Sequence, residues 1–155
     1  MSEAPARVVF DCVIFAQALI NDSGPAGQCL ELARSSTIRL VLSEYVVTEI
    51  RELPSKLPAR LLVTMDRVEA FIQEVVTLAE MIGDVPEVYR HPVDADDSHY
   101  VNLALAAAAT LITSRDHHLL DLMDQSQPLG RAFRQQFPQL DIVRPEELLR
   151  RVRPA

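Results

Sequence analysis

The chain has 155 residues, 48% of them hydrophobic, and a formal net charge of −7. That length suits one domain, residues 1–155, burying roughly 70% of the surface its unfolded form exposes. The acidic balance argues against a broad basic footprint for nucleic acid, though not against chemistry on nucleic acid, because carboxylates that hold a cation contribute to it.

No apolar run approaches the ~20 residues that span a bilayer, and Met1-Ser2-Glu3-Ala4-Pro5-Ala6-Arg7 lacks the basic-then-apolar layout of a signal peptide. The expectation is a cytoplasmic protein without a membrane partner. Cys12 and Cys29 fit that compartment: neither belongs to a paired metal motif, and both read as small core residues.

In chain order, Arg7-Val8-Val9-Phe10 is a β-branched and aromatic run suited to a buried central strand. Residues 14–20 begin a helix, Asn21-Asp22-Ser23-Gly24-Pro25 breaks it, and residues 26–34 resume helical spacing. A second strand covers 38–42, and Ser43 then caps a helix running to Pro54. Between 58 and 79, Leu61, Leu62, Met65, Val68, Phe71, Ile72 and Val75 recur with a period near 3.6, predicting one or two amphipathic helices. Their stripe either packs inside the monomer or, looking wider than one sheet face can cover, points to a homodimer.

A weak extended segment within 78–85 supplies a third strand, ahead of a polar loop reaching Asp94. A helix is expected from Asp97 to Ala109, with Ala106-Ala107-Ala108-Ala109 small enough to approach a sheet closely. Residues 111–113 make a fourth strand, 116–123 and 129–137 helices, 141–143 a fifth strand, and Pro145 opens a closing helix through Val152. The alternation predicts an α/β fold with a mainly parallel, roughly five-stranded sheet covered on both faces. Arg131, Arg134, Arg144, Arg150, Arg151 and Arg153 read as a solvated helical face.

Four acids, Asp11, Glu49, Asp97 and Asp116, stand at strand ends or in first turns of helices. In an open α/β sheet, ligands bind outside the carboxyl ends of the strands, so acids distant in sequence can converge there as a cage for a hard divalent cation. Each also has a plainer reading. Glu49 competes with Glu44 and Glu52, Asp97 with Asp94 and Asp96, and Asp97 or Asp116 could serve only as a helix cap. His91, His99, His117 and His118 lack the Cys/His spacing of structural zinc sites and form no HExxH pattern, so they are not read as ligands. Gly24-Pro25-Ala26-Gly27 lacks the lysine and hydroxyl of a P-loop.

Four segments in order, Val8-Val9-Phe10-Asp11-Cys12-Val13-Ile14, Leu42-Ser43-Glu44-Tyr45-Val46-Val47-Thr48-Glu49-Ile50, Asp94-Ala95-Asp96-Asp97-Ser98-His99-Tyr100-Val101-Asn102-Leu103-Ala104 and Leu111-Ile112-Thr113-Ser114-Arg115-Asp116-His117-His118-Leu119-Leu120, resemble the successive motifs of PIN-domain proteins. The match runs over roughly residues 7–122 and is closest to the VapC-like ribonucleases, toxins of toxin–antitoxin systems. Each motif is only an acid beside an apolar run; the ordered set is the specific signal.

The resemblance implies a PIN-like α/β/α sandwich acting as a metal-dependent endoribonuclease. Asp11, Glu49, Asp97 and Asp116 would hold one or two Mg²⁺ or Mn²⁺ ions, and the alignment prefers Glu49 over Glu44. Asp94, Ser114 and, less directly, Thr113 would stand behind the ligands, hydrogen-bonding a ligand or water. It further implies a homodimer inhibited by an antitoxin, whose arginine could pair bidentately with the carboxylates. Where many members have Thr-Asn after the first Asp, this chain has Cys12-Val13. That departure keeps open a catalytically weak or inactive PIN domain that binds nucleic acid or protein. A phosphatase-like hydrolase would want a lysine beside its aspartate nucleophile, and the chain's only lysine is Lys56.

Overall fold

The computed structural model of the protein describes residues 4–152; Arg153 of the basic cluster and the first three residues of the polar N-terminal tail lie outside the described residues. Strand β1 (Ala6–Phe10) is the central strand because Val8, Val9 and Phe10 have no polar face to offer solvent. It pairs in parallel with β2 (Ile38–Leu42) on one side and β4 (Leu111–Thr113) on the other. The outer strands β3 (Glu80–Met81) and β5 (Asp141–Val143) are also parallel to their neighbours, giving the order β3-β2-β1-β4-β5. All five strands stand where the apolar runs predict them.

Helices α1 (Cys12–Ile20), α2 (Pro25–Arg34), α3 (Glu44–Arg51), α4 (Leu53–Lys56), α5 (Met65–Leu78), α6 (Ser98–Ala106), α7 (His117–Leu120), α8 (Pro128–Gln136) and α9 (Pro145–Arg151) flank this sheet as an α/β/α sandwich. Short 3-10 turns at Ala59–Leu61, Ala95–Asp97 and Asp121–Met123 join some of them. Among the described residues no helix is long and apolar enough to cross a membrane.

Several expectations are corrected by local chemistry. Pro54 does not end a helix: α3 stops at Arg51, and Pro54 sits in the first turn of α4, where its missing N–H costs nothing. The segment 116–123 is one turn of α-helix followed by a 3-10 turn, and Asp116 is its cap rather than its first residue. The helix expected through Ala109 ends at Ala106. Ala108 adopts φ 53°, its N–H donates to Leu105 O at 3.2 Å, and the Ala109 N–H donates to Ala104 O at 2.8 Å. This is a Schellman closure with alanine in the left-handed position, costing roughly 1–2 kcal/mol in exchange for turning the chain into β4. Ala106 and Ala108 therefore face solvent; close approach to β1, β2 and β4 is made by Val101, Leu103 and the fully buried Ala104.

The stripe of α5 is spent inside the protein, with Val68, Phe71, Ile72 and Val75 buried against α3 and β2. Only Leu62 and Met65, at its N-terminal end, stay largely exposed. Cys29 is a core residue as expected, its Sγ donating to Pro145 O at 3.4 Å, whereas Cys12 is half-buried at the start of α1. The C-terminal arginines form a face laced by ion pairs: Arg134 and Arg151 with Asp141, and Arg150 and Arg151 with Glu147.

Candidate active site

The sheet order reverses at β1. The chain winds outward through β2 and β3, then crosses back to lay β4 against the free edge of β1. Such a reversal opens a crevice at the carboxyl ends of the two strands, because their connections leave in opposite directions. Asp11 follows β1 directly, and Ser114 follows β4. The Asp11 N–H donates to Thr113 O at 3.1 Å, so the two strand ends are locked side by side.

Asp11 is 3% exposed and caps α1, accepting from the Ile14 N–H at 3.2 Å through Oδ1. Its other oxygen, Oδ2, accepts from the Ser114 hydroxyl, and Ser114 Oγ in turn accepts from the Asp116 N–H at 2.9 Å. Burial pushes the Asp11 carboxyl up to about 6 despite these bonds, and the nearby charge of Asp116 adds to the rise. Thr113 Oγ1 is buried without a hydrogen-bond partner among the described residues, while the Thr113 carbonyl holds the Asp11 N–H.

Glu49 projects from α3 toward Asp11. Oε1 accepts from the Tyr100 hydroxyl, which itself accepts from the Cys12 N–H at 3.1 Å. Burial raises its pKa, partly opposed by the Tyr100 bond and the Lys56 charge, and the Asp11 charge acts in the same sense as burial. Tyr100 lies one helical turn after Asp97 on α6, a spacing that makes the two neighbours on one face. Sequence reading passed over it, although a tyrosine three residues past a candidate ligand is the available signal.

Asp97 is 6% exposed and ends the 3-10 turn that leads into α6. Its Oδ2 is buried with no hydrogen-bond partner among the described residues. Burial first, and then the charges of Asp116 and Asp94, push its pKa up to about 7, with His118 opposing. Asp116 is half-buried and caps α7 through Oδ1, which accepts from the His118 N–H at 2.9 Å. Asp94 accepts from the Asp96 N–H at 3.1 Å, and one carboxylate oxygen each of Asp94 and Asp97 lies within 4.8 Å of a ring nitrogen of His118. Among the described residues, Asp97 is the one predicted acid in that group of three ligand atoms, with Asp94 and His118; the charges of Asp11 and Asp116 reach Asp97, and that of Asp11 reaches Glu49. His118, set aside on spacing grounds, joins Asp94 and Asp97 because α7 folds back over the Asp94 loop.

Most of the described cations are engaged elsewhere. Arg7, Arg34, Arg51, Lys56, Arg115, Arg134, Arg150 and Arg151 all pair with acids outside the crevice. Among the described residues, no arginine or lysine forms an ion pair with Asp11, Glu49, Asp94, Asp97 or Asp116, although the charge of Lys56 is felt at Glu49. Crowded, desolvated carboxylates with an orphaned buried oxygen and no ion pair to an arginine or lysine suit a hard divalent cation, the ligand that removes the desolvation and repulsion together.

A parallel α/β/α sandwich with an acidic crevice at its topological switch point defines the class of this protein. Residues 7–118 match the PIN domain family, and the chain belongs to that family, whose members are generally nucleases. Its structure is similar to a chain in the crystal structure of VapBC2 from Rickettsia felis bound to a DNA fragment from their promoter. The two superpose with a TM-score of 0.56 at 12% identity, over 89% of this chain and 98% of that one, a likeness of fold. No curated protein matches the sequence.

Proposed function

We propose that the protein is a metal-dependent endoribonuclease and the toxin of a toxin–antitoxin pair. The orphaned Oδ2 of buried Asp97, among carboxylates that form no ion pair with an arginine or lysine of the described residues, carries this reading. Asp11, Glu49, Asp97 and Asp116 would hold one or two Mg²⁺ or Mn²⁺ ions. Membership of the PIN family and the fold of the Rickettsia felis complex support it.

When bound, such an ion polarises a phosphate oxygen and makes its water a nucleophile near neutral pH. The chain's own residues supply aim and charge. Ser114 and the Ile14 N–H fix the two oxygens of Asp11, Tyr100 fixes Glu49, and the His118 N–H fixes Asp116, so three acids arrive oriented. Asp97 is the loosely held member, and its Oδ2, with a pKa of about 7, can bind a cation or take a proton from an attacking water. Lys56 pairs with Glu52 at 3.1 Å, which leaves the phosphatase-like reading without its lysine.

One observation favours the second reading, a PIN domain that binds without turnover: Val13 is 47% exposed, placing an apolar side chain two residues after Asp11. The tyrosine relay answers the departure in part, since the Cys12 N–H positions Tyr100 whatever its own side chain is. The deciding experiment incubates the purified protein with structured and single-stranded RNAs and Mg²⁺ or Mn²⁺, beside Asp97→Asn. Cleavage by wild type alone supports the nuclease; RNA retained intact but bound supports the module.

A further inference from the structure

We propose that Asp94, Asp97 and His118 form a mixed carboxylate–imidazole site that takes a divalent transition ion in preference to Mg²⁺. The inference rests on the nuclease reading only in taking a cation as the occupant of the crevice.

The three residues offer ligand atoms that lie within 4.8 Å of one another. Bonds of about 2.0–2.2 Å place donors roughly 3–4 Å apart, so small side-chain rotations close the set on one ion. Two observations separate this from a chance acidic cluster. Asp97 is buried, and among the described residues its Oδ2 has no partner; the His118 Nδ1 atom is likewise buried and unpartnered among them. A buried polar atom without a partner costs free energy, and two of them in one set of three call for a shared ligand.

The support behind the site is built as well. His91 is 3% exposed, and its Nδ1 accepts from the N–H groups of both Val93 and Asp94 at 3.1 Å. That double acceptance puts the ring proton on Nε2, which donates to His118 O at 2.9 Å. One histidine therefore ties the Asp94 loop to the backbone of His118, and the Ser98 hydroxyl anchors it further by accepting the His91 N–H at 2.7 Å. The rings of His91 and His118 also stack, with centroids 6.0 Å apart. Ligands held by their neighbours in this way lose little freedom on binding.

Donor chemistry sets the preference. Mg²⁺ favours oxygen donors and waters, whereas imidazole suits the later first-row ions. A nitrogen donor beside two carboxylates shifts selectivity toward Mn²⁺, Co²⁺ and their neighbours, while the remaining acids of the crevice stay available to an oxygen-seeking ion.

The test uses the full chain, with Co²⁺, Mn²⁺ and Mg²⁺ as probes. Calorimetric titration should find Co²⁺ bound about tenfold or more tightly than Mg²⁺, and His118→Gln should remove most of that difference while changing the Mg²⁺ titration little. Pulsed electron paramagnetic resonance of Mn²⁺ on the wild type should show coupling to a histidine nitrogen, a readout that stands even if His118→Gln folds poorly. Mn²⁺ bound without nitrogen coupling, a direct Asp97–His118 pair that persists with no ion bound, or a variant with unchanged selectivity would overturn the site. RNA cleavage is scored separately: a chain that binds Co²⁺ through His118 yet cuts no RNA sinks the nuclease reading alone, and one that cuts RNA with His118 indifferent to every metal sinks this inference alone.

Discussion

The phenol of Tyr100 stands between Glu49 and the first residue of α1, donating to Glu49 Oε1 while accepting from the Cys12 N–H at 3.1 Å. A residue on α6 therefore fixes an acid on α3 by bracing against α1, so the crevice depends on three helices keeping their mutual packing. Tyr100→Phe removes the donor from Glu49 and the acceptor from the half-buried Cys12 N–H. We expect a stability loss of about 1–3 kcal/mol by denaturant unfolding and roughly tenfold weaker Mn²⁺ binding by calorimetry. The pKa of Glu49 should rise further, because the bond now opposing its burial is gone.

Asp97 shows the cost of the site most directly. A buried carboxylate facing Asp94 and Asp116 raises the free energy of the cation-free fold. Asp97→Asn removes that charge at constant size, so the cation-free variant should melt higher than wild type at pH 8. Its RNA cleavage should fall by about two orders of magnitude or more. Scanning calorimetry and a gel assay on one preparation read both; a variant that cleaves like wild type would mean that a contaminant cuts.

Asp11 and Asp97 sit at about 6 and about 7 in the folded protein against an ordinary 3.8. Groups raised on folding contribute stability that is complete below 3.8 and lost as pH rises through the folded values. The cation-free protein should thus lose stability between about pH 4 and pH 7. Divalent cations bind the ionised forms, so their stabilisation has the opposite trend, small at pH 5 and full at pH 8. With Mn²⁺ at 100 times its dissociation constant the gain is about 2.7 kcal/mol at pH 8. Coincident melts with and without millimolar Mn²⁺ at pH 8 would sink the cation site.

Legibility in the sequence followed the range of the interaction. Val8-Val9-Phe10 and Leu40-Val41-Leu42 announced buried parallel strands because composition alone encodes burial on both faces. Asp11 and Asp116 were readable for the same reason, being polar residues at the ends of such runs. The end of α6 was not: four alanines favour helix, and only the need to enter β4 forces Ala108 into a left-handed turn. His118 was equally hidden. Its place beside Asp94 arises from His91, which ties the Asp94 loop to the backbone of α7, 27 residues on from His91, and backbone partners leave no trace in residue type. The stripe of 61–75 was legible only in part, since α3 and β2 cover Val68, Phe71, Ile72 and Val75 while Leu62 and Met65 stay exposed.

Val13 offers a test of the departure from the family pattern. Its side chain is 47% exposed, so Val13→Asn should change stability by less than about 0.5 kcal/mol. A polar group there restores a hydrogen-bonding side chain at the rim beside Asp11, and cleavage of RNA should rise several-fold at unchanged Mn²⁺ affinity. An unchanged rate would mean that the relay through the Cys12 N–H and Tyr100 already supplies what the side chain does elsewhere in the family.

The remaining exposed apolar side chains bear on partners. Leu62 is 72% exposed, Met65 56% and Ile20 37%. Arg67 links their neighbourhoods: Nη2 donates to Leu19 O at 2.7 Å and Nη1 to Leu61 O and Leu62 O at 3.4 Å, holding the end of α1 beside the loop before α5. Leu62 also keeps φ 54°, a left-handed conformation that costs a branched side chain free energy and presents it outward. A surface that holds large apolar groups outward at such cost suits burial against a second copy of the chain or an antitoxin. Light scattering at micromolar concentration should therefore find a homodimer, and Leu62→Glu should weaken it by roughly 10–100-fold, the equivalent of about 1.5–3 kcal/mol for one buried leucine. Circular dichroism should remain unchanged, because the side chain makes little of its contact within the protomer. A wild-type chain that scatters as a monomer up to the highest soluble concentration would remove the homodimer, and expression beside its neighbouring reading frame, with or without Leu62→Glu, would then test the antitoxin as the group that covers this surface.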